Sequence, residues 1–230
     1  DENLFIDEMS TNKGLKYLLK SQIQATRSIH RSINDIEIAV KKILEKINKY
    51  KNSRLIYVGA GTSGRIGVQD GSELFPTFGW PKSRVLFIIA GKNKALTTSI
   101  EGAEDDIISA VSQFKEKNVK KSDILIALAA SGDTPFTVQI VKEARKIGAL
   151  TIGISNNPKG KLLSESEIKI FIDSGKEVLA GSTRLAAGTT QKICLNLIST
   201  MVMAKLGRVK KGRMNCLVPN NEKLRKRKQH

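Results

Sequence analysis

Residues 55–80 read LIYVGAGTSGRIGVQDGSELFPTFGW, and this stretch decides the fold. Leu55 to Val58 form an apolar run that predicts a buried strand, followed by a glycine turn and a helix. Gly59, Gly61 and Gly64 let the backbone turn sharply and come close to a ligand. Thr62 and Ser63 place hydroxyls where the helix begins. The free N–H groups of a helix start favour an anion, phosphate most naturally. Glu73 follows one helix length further on, beside an apolar turn bearing Pro76. An unpaired carboxylate is costly there, which favours a functional role over a structural one.

Outward from this stretch, short apolar strands alternate with helices. The strand candidates are 55–58, 85–90, 124–129, 150–154 and 168–172, with helices expected over 63–74, 95–117, 135–147 and 184–206. Continuous apolar runs separated by helices predict an α/β fold, a doubly wound five-stranded parallel sheet covered on both faces. Ligands of such sheets bind beyond the carboxyl ends of the strands. Three of those ends carry chemistry: GAGTSG (59–64), AGKNKA (90–95) and AASGDTP (129–135). In the last, Ser131, Gly132, Asp133 and Thr134 precede Pro135, a residue suited to the first turn of a helix. Two hydroxyl-bearing turns at neighbouring strand ends predict a phosphate cradle. A third set, Gly181-Ser182-Thr183-Arg184, precedes the last long helix.

Residues 10–50 read as two helices. Leu15, Leu18, Leu19 and Ile23 mark the first, and Ile33, Ile36, Val40, Ile43, Leu44 and Ile47 form a stripe along the second. Both stripes are expected to pack on the main domain or on a second subunit. The chain is thus expected to divide into an N-terminal helical extension (1–50), a main domain (51–215) and a basic tail (216–230) that reads as the start of a truncated helical region.

Bulk properties narrow the function. The 230 residues hold no run of 18 apolar ones, and the acidic start DENLFIDEM lacks a signal-peptide pattern. Cys194 and Cys216 form no metal or redox spacing, which fits a reducing, cytoplasmic setting. With only His30 and His230, a histidine-centred metal site or triad is not expected, although a partner chain can carry His30 towards a site. The net charge of +17 collects late, through Lys205, Arg208, Lys210, Lys211 and Arg213 and again over 223–228. That tail has no aromatic residue for base stacking, so it reads as a solvated basic face and nucleic acid is not the expected partner. A positive field still draws in a phosphorylated substrate. GAGTSG also matches a dinucleotide fingerprint, but the second strand ends Ala90-Gly91-Lys92 without the ribose-binding acid that NAD or FAD requires.

The motifs IDEMST (6–11), YVGAGTSGRIGVQDGSELFPTFG (57–79), EGAEDD (101–106), AASGDTP, IGISNNP (152–158), EVLAGSTRLAAGTTQK (177–192) and PNNEKLRKR (219–227) cover nearly the whole chain in order. On these motifs the sequence resembles sugar isomerase (SIS) domains and, more closely, the N-acetylmuramic acid 6-phosphate etherases. Glucokinase regulatory proteins share the relationship. The resemblance implies a flavodoxin-like α/β/α sandwich, a homodimer and a phosphosugar ligand. The implied reaction removes D-lactate from C3 of the sugar without metal or redox cofactor. It maps the two acid/base carboxylates onto Glu73, for the ether oxygen and later the water, and Glu104, for the C2 proton. Without it, Glu104, amid Glu101, Asp105 and Asp106, reads as a solvated helix face.

Thr62, Ser63, Ser131, Thr134, Ser182 and Thr183 are then candidate contacts to phosphate and sugar hydroxyls, with Gly61, Gly64 and Gly132 allowing backbone approach. Arg65 and Arg184 are candidates for phosphate or the lactyl carboxylate, or else hold loops together. Asn156 ends the fourth strand and can reach the same crevice; for Gln191 and Lys192, packing and binding are not separable. Two positions depart from the family pattern: Asp133 stands where arginine is common, and Lys92 where glycine is common. A carboxylate beside a phosphate is unfavourable unless it points away or is paired. Two alternatives accompany the etherase reading, a non-catalytic phosphosugar sensor and a phosphosugar isomerase.

Overall fold

The computed structural model describes residues 5–216, so the basic tail beyond Cys216 and its expected helix start lie outside the described residues. Strands β1 (Leu55–Gly59), β2 (Val85–Ile89), β3 (Ile124–Leu128), β4 (Leu150–Ser155) and β5 (Ile168–Phe171) form one sheet in the order β2-β1-β3-β4-β5. Every pairing is parallel, and the ends align: Gly59 lies opposite Ile89 on one side and Leu128 on the other. The expected doubly wound sheet is therefore present. Its winding reverses at β1, because the chain leaves β2 on one side of that strand and re-enters as β3 on the other.

Both faces are buried, which explains strands without polar alternation. Tyr57, Ile126, Leu128, Ile152 and Ile170 point to one face, against helices α2 (Ile33–Lys49), α3 (Gly61–Phe78) and α7 (Ala186–Lys205). Ile56, Val58, Leu125 and Ala127 point to the other, against α4 (Ile107–Glu116) and α5 (Pro135–Lys146). A short α6 (Lys161–Glu165) precedes β5, and a two-stranded hairpin, β6 (Val209–Lys210) with β7 (Arg213–Met214), follows α7. No helix among the described residues is long and apolar enough to cross a membrane.

The N-terminal segment forms α1 (Thr11–Ser28) and α2, and the two stripes fare differently. Ile36, Val40, Ile43 and Ile47 of α2 are buried under the sheet. In α1, which lies against α7, only Gly14 and Ala25 are buried, while Leu15, Leu19 and Ile23 remain 61%, 60% and 43% exposed. Packing on the main domain is thus borne out for the second stripe and not for the first.

The expected helix over 95–117 is half absent. Lys92–Leu96 makes a 3-10 turn, residues 97–106 are turns, and α4 starts only at Ile107. Thr97, Thr98 and Ser99 compete with the helical backbone, Gly102 sits at φ +67°, and the Asp106 carboxylate caps α4 by accepting from Ser109 N at 2.8 Å. Conversely, α3 continues through Pro76 to Phe78. It closes on Gly79 at φ +62°, whose N–H donates to Phe75 O, with Trp80 N donating to Leu74 O.

Candidate active site

At the reversal point, β1 turns directly into α3. A Cβ on Gly59 would lie 2.8 Å from Gly64 N, and one on Gly64 would lie 3.0 Å from Gly59 O, so the helix start rests on the strand backbone itself. Gly61 meets a different demand: it has open space around it but a φ of +52°. The first ladder bond runs from Gly64 N to Ala60 O, which leaves the N–H groups of Gly61, Thr62 and Ser63 ahead of the helical ladder. Ser63 is buried and Thr62 half-buried.

Beside this turn, β3 leads into α5 with Thr134 at the N-cap and Pro135 in the first turn. Ser131 Oγ accepts from Asp133 N at 3.2 Å. Gly132, at φ +75°, packs against Gly160, and a Cβ there would stand 2.7 Å from Gly160 Cα. Asp133 turns away from the crevice: its Oδ1 accepts the N–H of Lys161 at 3.0 Å, at the start of α6. The carboxylate at this first departure is therefore paired within the protein. Lys92, the second departure, is exposed at φ +55°, with its ammonium 3.7 Å from Glu116.

The third hydroxyl set reaches the first through α7. Gly188 N donates to Thr183 O at 3.0 Å, and a Cβ on Gly188 would sit 3.4 Å from Thr62 Cγ2. Ser182 is half-buried, and Thr183 and Arg184 are exposed, in the loop between β5 and α7.

A cleft of about 190 Å³ opens at the ends of β1 and β2, lined by Gly61, Arg65, Ala90, Glu101 and Glu104 among others. Glu104 O accepts from Phe136 N at 2.9 Å, which pins this acid to the N-terminal end of α5. Glu104 is exposed, in a turn rather than on the helix face first expected. A larger hollow of about 420 Å³ lies beyond the 92–96 turn, lined by Phe87, Ile89, Lys92 and Lys117. It is lined by neither Gly61 nor Glu104, whereas the smaller cleft has both, so the smaller cleft is the candidate site.

Three expected contributors stand otherwise. Glu73 is exposed on α3, twelve residues past Gly61, about 18 Å along the helix axis. It does not line the cleft of its own chain, and because α3 runs on through Pro76 it is not a buried acid in a turn. Arg65 lines the cleft but spends its guanidinium on Ala95 O (2.9 Å) and Thr98 O (3.3 Å), holding the 92–98 turns in place. Asn156 is a tie: its Nδ2 donates to Ile172 O and Thr190 Oγ1, each at 3.0 Å, and its Oδ1 accepts from Gln191 Nε2 at 3.1 Å. Gln191 is accordingly a packing residue, and Lys192 is exposed and bonded to Asn196.

Two carboxylates escaped the sequence reading. Asp70 is buried at 6% exposure and accepts from Tyr57 Oη (2.8 Å), Asn196 Nδ2 (2.8 Å) and Ser199 Oγ (3.0 Å), joining β1, α3 and α7. Burial, with the Asp70 charge beside it, raises the Tyr57 phenol well above its ordinary value. The signal was available, since Asp70 shares a helix face with Gly67, Gly71 and Leu74. Glu177 accepts from Ala186 N and Ala187 N at the start of α7.

Fold and cleft together define a protein of the SIS class. Residues 107–204 match the SIS domain, and residues 35–144 match the glucokinase regulatory protein N-terminal SIS domain. Among solved structures, the chain is similar to a phosphoheptose isomerase from Francisella tularensis, with a TM-score of 0.64 at 18% identity over 85% of this chain and 100% of that one. It is also similar to the NanR protein of Vibrio vulnificus complexed with ManNAc-6P (TM-score 0.60, 13% identity, 86% of this chain and 66% of that one). Within the class, the chain belongs to the N-acetylmuramic acid 6-phosphate etherase family. The etherase of Clostridium acetobutylicum is 44% identical over 224 residues, covering 97% of this chain and 74% of its own length. That of Deinococcus radiodurans is 38% identical over 222 residues, covering 96% and 72%.

Proposed function

We propose that this chain is a carbon–oxygen lyase that cleaves the D-lactyl ether of N-acetylmuramic acid 6-phosphate, giving N-acetylglucosamine 6-phosphate and D-lactate. The observation that carries the reading is the cleft lined by Gly61, Arg65 and Glu104 at the reversal point of the sheet, where β1 turns into α3 and Phe136 N ties Glu104 to the neighbouring α5. The 6-phosphate sits against the helix start of α3 and the Ser131–Thr134 turn, with Thr62, Ser63, Ser131 and Thr134 as hydroxyl contacts. Ser182, Thr183 and Arg184 meet the sugar or its lactyl carboxylate from the loop before α7.

With the ring open, the C1 aldehyde acidifies the C2 proton. Glu104 removes that proton, and a second acid protonates the departing C3 ether oxygen as the C3–O bond breaks. Water then adds at C3 of the unsaturated aldehyde, and Glu104 returns a proton to C2. The second acid is Glu73. Its distance from the cleft of its own chain favours its coming from the partner in a homodimer, whose two-fold symmetry would build each site twice from two chains.

The decisive measurement is D-lactate release from N-acetylmuramic acid 6-phosphate in deuterated water. Lactate with one solvent deuteron at C2 of the product is the expected result. Stabilisation of the protein by the sugar without lactate would instead mark a sensor, and C2 exchange with lactate retained an isomerase. For the shared site, Glu73→Gln and Glu104→Gln are each inactive, and an equal mixture of the two, once exchanged, recovers about a quarter of wild-type activity. A mixture that stays inactive rules out the division between chains.

A further inference from the structure

We propose that Glu177 is a positioning residue for the phosphosugar: its carboxylate holds the Ser182–Arg184 loop and the first turn of α7 against Thr62 and keeps the start of α7 closed to the substrate's phosphate. The inference rests on the phosphosugar reading of the cleft.

Helix α7 has leucine at its N-cap, which has no group to offer the first N–H donors. Glu177 supplies it from nine residues upstream. One oxygen accepts from Ala186 N and the other from Ala187 N, each at 2.9 Å. A half-buried carboxylate bridging two successive N–H groups gains from both the charged hydrogen bonds and the helix dipole. It also closes residues 177–188 into one loop, braced inside by Ser182 N donating to Leu179 O and Gly188 N donating to Thr183 O, both at 3.0 Å. The same turn of α7 abuts Thr62 and Ile66 through Gly188. The distance between the third hydroxyl set and the first phosphate turn therefore depends on Glu177.

The remaining helix starts give this contact a second consequence. Asp106 bonds Ser109 N in the first turn of α4, and Asp133 bonds Lys161 N at the start of α6. With Glu177 on α7, the chain's own carboxylates meet three helix starts along the sheet. No side-chain cap bonds the starts of α1, α2, α3 and α5, of which α3 and α5 lie at the reversal point. Of these last two, α5 begins with Pro135, which has no N–H, and gives Phe136 N to Glu104 O, so α3 is the start left open to phosphate; both oxygens of Glu177 are committed, so it is not a catalytic residue.

The test compares wild type, Glu177→Ala and Glu177→Gln for kcat and KM of lactate release, with and without added sodium formate. For Glu177→Ala, KM rises roughly tenfold and kcat stays within about twofold. Formate, which can take the vacated place on Ala186 N and Ala187 N, restores KM. Glu177→Gln retains one acceptor and falls between, and it reports in place of the alanine variant if that one fails to fold. A lowered Tm with unchanged KM, or no response to formate, overturns the proposal and leaves a structural cap only. If wild type releases no lactate, the etherase reading has failed on its own. The same three proteins are then titrated with N-acetylglucosamine 6-phosphate by calorimetry, where equal affinities overturn the proposal and a formate-restored loss supports it.

Discussion

Asp70 is buried on α3, and its two oxygens accept from three side chains on two other elements, β1 and α7. Removing the acceptor strands the Tyr57 hydroxyl, Asn196 and Ser199 together, which is where a buried polar cluster is most expensive. Asp70→Ala is expected to lower stability by about 3 kcal/mol, measured by urea unfolding, and Asp70→Asn by less because one oxygen remains. Asp133 makes the opposite case. It falls inside the AASGDTP motif, yet its side chain bonds Lys161 N and not the crevice. Asp133→Ala should cost about 1 kcal/mol of stability and leave KM within about twofold. A large change in KM would return Asp133 to the binding site.

At the scale of elements, the β1–α3 join contains two glycines that differ in kind. Gly61 is required by its φ of +52° in open space, so Gly61→Ala is strained by about 1–2 kcal/mol without a clash. Gly64 is required by contact, because a Cβ would press on Gly59 O and Ile89 Cγ2 at 3.0 Å. Gly64→Ala must push α3 off β1 and carry the N–H groups of 61–63 with it. Its affinity for N-acetylglucosamine 6-phosphate should fall more than tenfold and its Tm with it, while Gly61→Asn, a residue that tolerates positive φ, keeps a Tm nearly that of wild type although its side chain enters the cleft. Calorimetric titration and thermal melts of the two variants distinguish these demands. The turn nature of 97–106 belongs to this scale as well: it lets Glu104 be tied to Phe136 N, which a continuous helix over 95–117 would not.

For the whole molecule, two buried acids govern the alkaline limit of stability. Burial raises the Cys194 thiol far above its ordinary 9.0, and burial beside Asp70 raises the Tyr57 phenol well above 10.0. Below those ordinary values both groups are neutral whether folded or unfolded, and stability is undiminished. Above them the unfolded chain releases its protons while the folded chain does not, so stability falls from about pH 9 upward until the folded groups also ionise. Cys194→Ala removes the first step, and the onset of the fall in a series of thermal melts should move towards pH 10, at some loss of packing. The exposed stripe of Leu15, Leu19 and Ile23 on α1 is the other whole-molecule feature, an apolar face that the chain's own sheet does not cover.

Strand and helix alternation, the buried sheet, the two glycine turns and the anion-favouring helix starts were all legible in the sequence, because each depends on neighbours within a few residues. Side-chain periodicity and the φ that glycine permits are local properties, and the fold class follows from them. The standing of individual polar side chains was not legible. Glu73 faces solvent because Gly67, Asp70, Gly71 and Leu74 take the buried face of α3, and Asn156 is spent on Ile172, Thr190 and Gln191. Asp133 and Glu177 find backbone donors nine or more residues away along the chain. Hydrogen bonds act over about 3 Å, and only the folded chain decides which groups come that close.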